Sequence, residues 1–569
     1  MPAFRINVLI SVLLGISPWV VSQELSLLET ERLRLLYFDP TETYLVPHVT
    51  QSFENSLDVQ QRIFNYHTDE RTAVLLTDFA DYGNAGASSV PRNSVIVDIA
   101  PLPLTFETAQ PAERLFTIMN HELVHIANTD QAATVDKRYR RLFAGKVAAR
   151  AEHPESILFQ YLTTPRKTTP RWYLEGMAVF LETWMAGGTG RAQGAYDEMV
   201  FRSMVRDNAH FYDPLGLVAE GVKVDFQVGA NAYLYGGRFM SYIAYEYSPD
   251  LLIQWVSRTD DSKRNYRPQF KKVFGLTLNQ AWDDWIEFEK SFQNDNLERI
   301  REYPTTPYKD LSEQALGSVS RAYLNTENDK LLAGFRYPGV VAHIGEFSLD
   351  DGSVRSLEDI KGPMVYRVTS LAYDPLSKTV FYTADNYAYR DLLSLDTQSG
   401  DVRMLLRDAR IGEIVFNQTD QSIWGVRHLN GLVALVRIPH PYTEWNLIQS
   451  YQYGEMMYDL DISPDGSLLS ASFGAANGAQ SVRIMNIDAL LEGDDTRIAE
   501  FNLGQSVPES FVFSPDGRYL FGSSYYTGVS NIWRFELDSQ DLQMVSNAET
   551  GFFRPLPLSN EELIIFRYT

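Results

Sequence analysis

Apolar and polar residues alternate in different ways along successive parts of the chain. Between residues 24 and 105, the short apolar runs "TAVLLTDF" and "NSVIVDIA" follow a helical stretch and flank the Gly/Ser-rich loop "ADYGNAGASSVPRN". These runs predict the strands of a small mixed sheet. From about 111 to 300, apolar residues recur at intervals of three and four, which predicts helices. The helical segments include "PAERLFTIMNHELVHIAN", "PRWYLEGMAVFLETWMAG", "NAYLYGGRFMSYIAYEY" and "LNQAWDDWIEFEKSFQ".

The chain beyond the Pro- and Thr-rich segment "EYPTTPYKDLS" has strand-like patterns throughout. A turn between two apolar strands recurs there at steps of 43 to 51 residues, and two copies read "SPDG". That step is the period of four-stranded propeller blades. The copies resemble the repeats of TolB-type β-propellers, and a pair of β-sandwiches is the alternative. The turns are anchored at Asn325, Asp374, Asn417, Ser463, Ser514 and Ser559.

The sixth of these repeats is short, because the sequence ends ten residues after Ser559. A closed six-bladed ring needs the outer strands of that blade, and the segment before Asn325 is a poor donor of them. Either the sequence is the N-terminal portion of a longer protein, or the ring closes in an unusual way. We therefore expect a six-bladed propeller whose last blade is incomplete in this chain.

The start of the chain has the pattern of a secretory signal peptide. Arg5 precedes the apolar run "VLISVLLGI", and Pro18 and small residues follow before Gln23. This predicts a signal peptide over residues 1–22 with cleavage after Ser22, and an uncut N-terminal anchor is the alternative. No later apolar run approaches the roughly 20 residues that span a bilayer, so we expect no membrane span after cleavage.

Composition narrows the classes of function. The chain has 569 residues, which favours two or three domains, and it has no cysteine, so no disulfide can form. Its net charge of −23 argues against nucleic-acid binding, which depends on Lys and Arg neutralising phosphates. We expect an exported protein of the Gram-negative periplasm, with full secretion as the alternative.

One helical segment carries the strongest chemical motif, "HELVH". His121 and His125 are four residues apart, so both imidazoles lie on one helix face and can bind one metal ion. Glu122 lies beside the first histidine, where a carboxylate can accept a proton from a metal-bound water. A pair of buried histidines with polar neighbours is the alternative, so the motif needs a third ligand.

A second helical segment, "TTPRWYLEGMAVFLE", offers that ligand in Glu175. Thr169 is a candidate N-cap with Pro170 at the first helical position. Gly176 follows Glu175, and a glycine inside a helix indicates close approach of another backbone. A carboxylate that faces the two histidines would complete a three-ligand zinc site with one position left for water.

The two segments together resemble the gluzincin metallopeptidases, the thermolysin-like clan. In that family HExxH is paired with a glutamate in a W-x-x-E-G-x-A segment. The resemblance covers about residues 30 to 300 and implies one Zn²⁺ bound by His121, His125 and Glu175, with Glu122 as general base. The 50 residues between His125 and Glu175 exceed the family's usual spacing of about twenty, so we expect a helical insertion near the cleft, over residues 126–170.

The same resemblance implies a tyrosine that stabilises the oxyanion, in a Y-x-x-G segment. Tyr233 fits this pattern with Gly236, and Tyr235 is the reserve candidate; packing of an amphipathic helix is the alternative for both. His210 is a further candidate donor, although a surface histidine is the simpler interpretation. Glu182 lies two turns after Glu175 on the same helix face, as a solvated or metal-supporting carboxylate.

The expected organisation is therefore a signal peptide (1–22), a thermolysin-like α+β metallopeptidase domain with a mixed sheet and a helical subdomain (24–300), a linker (301–312) and a TolB-like propeller (313–569). We expect an exported zinc peptidase that cleaves peptide or protein substrates. The loop at 80–93 and the strand "NSVIVDIA" are expected to form the upper edge of the cleft, where an exposed strand would hold the substrate backbone.

The propeller carries no catalytic pattern, since His343, His428 and His440 are scattered without ligand spacing. We expect it to select substrates or to dock an envelope protein. Two alternatives stay open: a catalytically silent binding scaffold on a peptidase fold, and a metal-dependent esterase or sugar-modifying hydrolase.

Overall fold

The computed structural model describes residues 23–109, 111–185, 190–220, 227–363 and 367–569. The predicted signal peptide lies outside these residues. Among the helices described, none has the length and apolar character that crossing a membrane requires.

A five-stranded mixed sheet opens the described chain, in the order β1-β2-β3-β5-β4. The three central strands are parallel, and β1 and β4 pair antiparallel at the two edges. β4 lies inside the Gly/Ser-rich stretch that was predicted as a loop, and it covers the outer side of β5. The bounds are β1 Glu24–Glu29, β2 Leu33–Asp39, β3 Thr72–Thr77, β4 Asn84–Ser88 and β5 Ser94–Asp98.

The helices form the bulk of the first 300 residues, as their apolar periodicity predicts. α1 connects β2 to β3 and packs with α2 in one core with the sheet. The insertion between His125 and Glu175 is helical, as expected, and contains α3 and α4. The bounds are α1 Val46–Phe64, α2 Arg114–Asp130, α3 Thr134–Leu142, α4 Ser156–Thr163, α5 Arg171–Met185, α6 Ala195–Arg206, α7 Pro214–Val218, α8 Asn231–Glu246, α9 Pro249–Val256, α10 Tyr266–Phe274 and α11 Leu278–Arg301, with 3₁₀ turns at Thr43–Leu45, Thr105–Glu107, Pro165–Thr168 and Arg191–Gln193.

A second core, rich in aromatic rings, fixes the position of α5. Trp172 and Tyr173 are fully buried among Trp255, Trp282 and Trp285. Trp172 and Trp282 have ring centroids 5.0 Å apart, and Tyr173 and Trp255 lie 5.2 Å apart, both edge to face. Edge-to-face pairs add stabilisation beyond the burial of apolar area. The first turn of α5 is therefore held firmly one turn before Glu175.

The remaining chain forms a β-propeller, which rules out a pair of β-sandwiches. In each blade neighbouring strands pair antiparallel, and the blades contact one another in sequence around the ring. The strands of the five blades are β6 Ser318–Val319, β7 Tyr323–Asn325, β8 Lys330–Arg336, β9 His343–Ser348 and β10 Val354–Asp359; β11 Leu371–Asp374, β12 Thr379–Asp385, β13 Arg390–Asp396 and β14 Val402–Leu406; β15 Ile411–Asn417, β16 Ser422–Leu429, β17 Leu432–Ile438 and β18 Asn446–Ser450; β19 Met456–Ile462, β20 Leu468–Gly474, β21 Gln480–Asn486 and β22 Arg497–Asn502; and β23 Glu509–Phe513, β24 Tyr519–Ser524, β25 Asn531–Glu536 and β26 Leu542–Met544, with the short helix α12 at Ile487–Leu491.

The sixth position of the ring differs from the expected sixth blade. It holds a two-stranded sheet, β27 (Phe552–Pro557) with β28 (Leu563–Arg567), so the described residues form five blades and this pair. Phe552 packs with the fifth blade, and Ile564 packs with the first. The ring thus closes through apolar contacts on both sides of the pair. The predicted count of six blades was thus wrong, because the described residues form five full blades, whereas the expected incompleteness of the last blade is found.

The propeller docks against the first part of the chain through buried polar contacts. Arg410 binds Asp78 through two hydrogen bonds of 2.7 and 2.8 Å and also binds Asp81. Arg114 donates to the carbonyl of Gly431, and other bonds link Arg202 to the loop before β27. The loops on one propeller face make these contacts, so the predicted linker is one of several connections between the two parts.

A buried carboxyl at this interface predicts a dependence of stability on pH. Glu509 accepts from the backbone N–H of Phe106 and from Arg554, and burial raises the pKa of Glu509 to about 7. The folded state then binds more protons than the unfolded state between about pH 4.5 and 7. The free energy of unfolding should fall as pH rises through this window, by at most about 1.4 kcal/mol per pH unit.

Urea unfolding followed by tryptophan fluorescence across this window tests the prediction. We expect a flatter pH dependence in Glu509→Gln than in the wild type. Equal slopes in the two proteins would show that Glu509 titrates normally.

Candidate metal centre

Helix α2 presents the two histidines of the HELVH motif toward one point. Its first turn is capped by the side chain of Glu113, which accepts from the backbone N–H groups of Leu115 and Phe116. The Nε2 atoms of His121 and His125 lie 3.2 Å apart. The spacing of four residues therefore brings both imidazoles together, as the sequence predicts.

Helix α5 delivers Glu175 to the same point. Its Oε2 lies 3.4 Å from Nε2 of His121 and 3.3 Å from Nε2 of His125. The predicted capping differs, however. Thr169 donates its hydroxyl to the carbonyl of Arg166, and α5 begins at Arg171, because the carbonyl of Pro170 accepts the first helical hydrogen bonds.

Glycine allows α5 to reach this position. A Cβ at Gly176 would lie 2.4 Å from the carbonyl carbon of Gly236 in α8, and a Cβ at Gly236 would lie 2.2 Å from the carbonyl oxygen of Trp172. The two backbones are in direct contact, which only glycine permits on both sides. The close approach that Gly176 predicts is thus confirmed.

The three donor atoms fit a zinc ion. A tetrahedral zinc with bonds of about 2.0–2.1 Å has ligand atoms about 3.3–3.4 Å apart, close to the 3.2–3.4 Å separations found here. Oε2 of Glu175 is buried and has no hydrogen-bond donor among the described residues. No other group of three His, Asp or Glu within the described chain converges in this way.

Glu122, the predicted base, follows His121 directly in α2. Its side chain is buried, and its Oε2 has no hydrogen-bond partner within the described chain. A buried carboxylate without a partner is costly in a purely structural role. Both Glu122 and Glu175 interact electrostatically with Lys167, which lies half-buried in the 3₁₀ turn before α5.

Glu182 supports the site from behind His121. Its Oε2 lies 2.6 Å from Nδ1 of His121, and the carboxylate is only 1 % exposed, so it is not solvated. Arg191 binds both carboxylate oxygens at 2.8 and 2.9 Å. An Nδ1–H that donates to a carboxylate leaves Nε2 free for a metal. The sequence offered Glu182 by its helical spacing, but nothing in the sequence indicated Arg191, which follows α5 in a short turn.

These contacts set the charge of the centre. Burial lowers the pKa of His121, but the nearby carboxylates of Glu175 and Glu182 outweigh burial and raise it to about 9. Burial raises the pKa of Glu175, yet the two histidines hold it well below its ordinary value. Burial also opposes ionisation of Glu182, while Arg191 and His121 lower its pKa to about 2. Two ionised carboxylates thus surround an imidazole pair, an arrangement suited to a divalent cation.

The structure separates the two candidate tyrosines. Tyr233 stacks on His121, with ring centroids 6.2 Å apart. The guanidinium carbons of Arg171 and Arg191 lie 5.4 and 5.1 Å from the centre of the Tyr233 ring. Burial raises the pKa of Tyr233, so its hydroxyl keeps its proton at neutral pH. Tyr235 points into the aromatic core, where it packs on Phe201.

The remaining histidines lie outside the centre. His210 is exposed in the loop after α6 and packs on Tyr212. In the propeller, His343 bonds to the carbonyl of Val341, and His440 packs on Tyr442. His428 is buried, which lowers its pKa well below the ordinary value.

Replacement of Glu182 should weaken metal binding. We expect Glu182→Gln to lower zinc affinity by about 10- to 100-fold, because the charged partner of the His121 ring is lost. Competition with a chromophoric chelator measures this. Glu289→Gln is the matched control, since Glu289 is equally buried and binds Arg238 at 2.6 Å away from the centre. Equal zinc affinities of Glu182→Gln and the wild type would exclude the supporting role.

Comparison with known proteins assigns the chain to no family. No known family model matches the chain. An uncharacterized protein of Agrobacterium fabrum is 27% identical over 104 residues, which are 18% of this chain and 33% of that protein. The chain thus matches about a third of the length of this relative, too little to assign a family.

The similarity to solved structures is also weak. TolB from Acinetobacter baumannii is 15% identical, with a TM-score of 0.34, over 41% of this chain and 54% of TolB. A putative TolB from Agrobacterium tumefaciens is 18% identical, with a TM-score of 0.29, over 36% of this chain and 69% of that one. A puromycin-hydrolyzing peptidase of Mycobacterium tuberculosis is 12% identical, with a TM-score of 0.30, over 44% of this chain and 41% of the peptidase. With TM-scores this low, the propeller is established by its own sheet topology, and the resemblance of residues 30 to 300 to gluzincins stays a prediction.

Proposed function

We propose that the protein is an exported zinc-dependent peptidase. The observation that carries this proposal is the convergence of three donor atoms, from His121, His125 and Glu175, to within 3.4 Å of one another. Glu122 follows His121 in the same helix and has a buried Oε2 with no hydrogen-bond partner within the described chain. A binding scaffold would need neither the buried base nor the carboxylate behind His121. The gluzincin resemblance makes peptide bonds the first substrate to test.

The three ligands would hold one Zn²⁺, which when bound would acidify a water molecule and polarise the scissile carbonyl. Glu122 would accept the proton of that water and deliver it to the leaving amine. Tyr233 would donate its hydroxyl to the developing oxyanion, and the neighbouring Arg171 would hold the phenol in place. Glu182 would keep the proton of His121 on Nδ1 throughout.

Substrate backbone would bind along β4 in this proposal. β4 is the edge strand of the sheet and packs near α2, so it can pair with an extended peptide, whereas β5 is covered on both sides. The propeller would act as a module for docking or substrate selection in the cell envelope, through the surface that faces away from the metal centre's domain.

Peptide-library cleavage profiling of the purified protein tests the proposal. We expect cleavage that stops on chelation and returns with added zinc. Parallel screens with ester and glycan substrates distinguish the esterase and sugar-hydrolase alternatives. Bound zinc without hydrolysis of any of these substrates would favour a binding scaffold and overturn the proposal.

Loss of the Tyr233 hydroxyl should reduce catalysis selectively. We expect Tyr233→Phe to lower kcat by about 10²- to 10³-fold with little change in KM, because an oxyanion donor acts only in the transition state. Tyr235→Phe should keep nearly full activity, since that hydroxyl lies in the core near Tyr212. Steady-state kinetics on a peptide from the library provide the comparison. Equal losses in the two variants would remove Tyr233 from the catalytic machinery.

A further inference from the structure

The insertion between the two metal-binding helices carries a charge opposite to that of the whole protein. Residues 134–168 contain eight Lys and Arg against three Asp and Glu, within a chain of net charge −23. The insertion is folded, and buried polar contacts hold it to the neighbouring chain. Asp136 is buried between Arg258 and Arg264, at 2.7 and 2.8 Å, and Arg140 turns inward to bond the carbonyls of Asp130 and Thr163.

The outer surface of the insertion combines bases with projecting apolar side chains. We name it the insertion face, and it comprises Val135, Arg138, Arg141, Leu142, Ile157 and Leu158. Leu142 is 73% exposed, and Ile157 and Leu158 are 58% and 56% exposed. Such values mean that these side chains stand out from the surface and do not line a groove. Single exposed apolar residues are ordinary, but four of them on two contacting helices are not.

The geometry of the two helices holds this face together. α3 and α4 pack on each other, and the rings of Phe143 and Phe159, which directly follow Leu142 and Leu158, have centroids 4.9 Å apart. On α3, Arg138 and Arg141 are three residues apart on the same exposed side as Leu142. Neither arginine forms an ion pair with a described residue, so their charges are available to a partner.

We propose that the insertion face binds the surface of an anionic phospholipid bilayer. Leucine and isoleucine side chains that project from a surface insert among lipid acyl chains, while flanking arginines reach the phosphates with their charged ends. The chain as a whole carries a net charge of −23, so a face with an excess of bases is favoured for the approach to anionic lipid. A helix of a protein partner would instead need a groove to receive it, and a partner strand would need a free sheet edge.

Binding at this face would orient the metal centre. α4 leads through the 3₁₀ turn at Pro165–Thr168 directly into α5, which carries Glu175. The centre would then lie close to the bilayer surface, within reach of chains that emerge from it. The lipid-binding proposal itself does not depend on hydrolytic activity.

Vesicle co-sedimentation of the full chain tests the proposal. The probes are vesicles of phosphatidylcholine mixed with phosphatidylglycerol, and vesicles of phosphatidylcholine alone. We expect the wild type to bind the mixed vesicles at least about tenfold more strongly, with binding that weakens as salt is added. Every variant is compared with a wild type of the same N-terminus, verified by mass, so residues 1–22 cannot account for a difference.

Two pairs of substitutions separate the apolar from the basic contribution to vesicle binding. Leu142→Ser with Leu158→Ser, and separately Arg138→Gln with Arg141→Gln, should each reduce binding to the mixed vesicles by at least about tenfold. The controls lie on the propeller: Leu376→Ser with Leu447→Ser, at sites 78% and 56% exposed, and Arg403→Gln with Arg407→Gln, also exposed. They should bind as the wild type does.

Three results would overturn the proposal. The wild type would stay in the supernatant with both kinds of vesicle, or the two insertion-face variants would bind like their controls. Alternatively, sedimentation without vesicles would show self-association that the Leu142 and Leu158 substitutions abolish, which would assign the face to a protein contact. Unchanged melting temperatures of the variants show that their folds are intact.

Discussion

Glu122→Gln should abolish hydrolysis while the protein keeps its zinc. Glutamine has the size of glutamate but cannot accept a proton, and general-base catalysis contributes about 10²- to 10⁴-fold. We therefore expect kcat/KM on a cleaved peptide to fall by that factor. The three donor atoms come from other residues, so elemental analysis should find the same zinc content as in the wild type.

Glu155→Gln is a suitable control for this variant, since Glu155 is exposed at the start of α4. It should keep both zinc and activity. Full activity in Glu122→Gln would contradict the assigned base, whereas loss of both zinc and activity would indicate a structural role for this carboxylate.

Gly176→Ala should weaken both the fold and the metal centre. Alanine favours a helix over glycine by about 0.8–1.0 kcal/mol, so a helix without the α8 contact would be stabilised. Here the new Cβ would lie 2.4 Å from the backbone of Gly236, and a backbone atom cannot move aside as a side chain can. The helices must separate, at a cost of about 1–3 kcal/mol typical of overpacking.

The displacement matters for metal binding because Gly176 follows Glu175. In the wild type, Oε2 of Glu175 lies 3.4 Å from Nε2 of His121 and 3.3 Å from Nε2 of His125. A shift of α5 would move this oxygen away from that position. We expect Gly176→Ala to lower both the melting temperature and zinc affinity. Gly237→Ala is the matched control, since its Cβ would meet only the side chain of Val179, with the nearest atom at 3.0 Å, and no backbone atom. A more stable Gly176→Ala protein would contradict the close helix contact.

The convergence of the three ligands could be predicted from the sequence alone. The four-residue spacing of His121 and His125 places them on a common helix face. Gly176 indicates the close contact between helices that positions Glu175. Arg171 and Arg191 were not predicted, because charged residues near helix ends are common and only the fold shows which of them meet the centre. The choice between Tyr233 and Tyr235 likewise depends on the rotation of α8.

The sheet and the propeller show where sequence patterns are weak. β4 was missed because "NAGAS" has small residues and no apolar alternation, and it is a strand only because β5 offers a partner. Each of the first five repeat anchors does lie at or next to the end of the innermost strand of a blade, as with Asp374, the last residue of β11. The sixth position departs from the repeat, since it holds only β27 and β28, which pack against the fifth and first blades.

The most direct test of the zinc centre is anomalous diffraction at the zinc edge from crystals of the zinc-loaded protein. We predict one zinc per chain, bound by Nε2 of His121, Nε2 of His125 and a carboxylate oxygen of Glu175 at about 2.0–2.2 Å. A zinc peak elsewhere, or no peak between α2 and α5, would contradict the proposed centre.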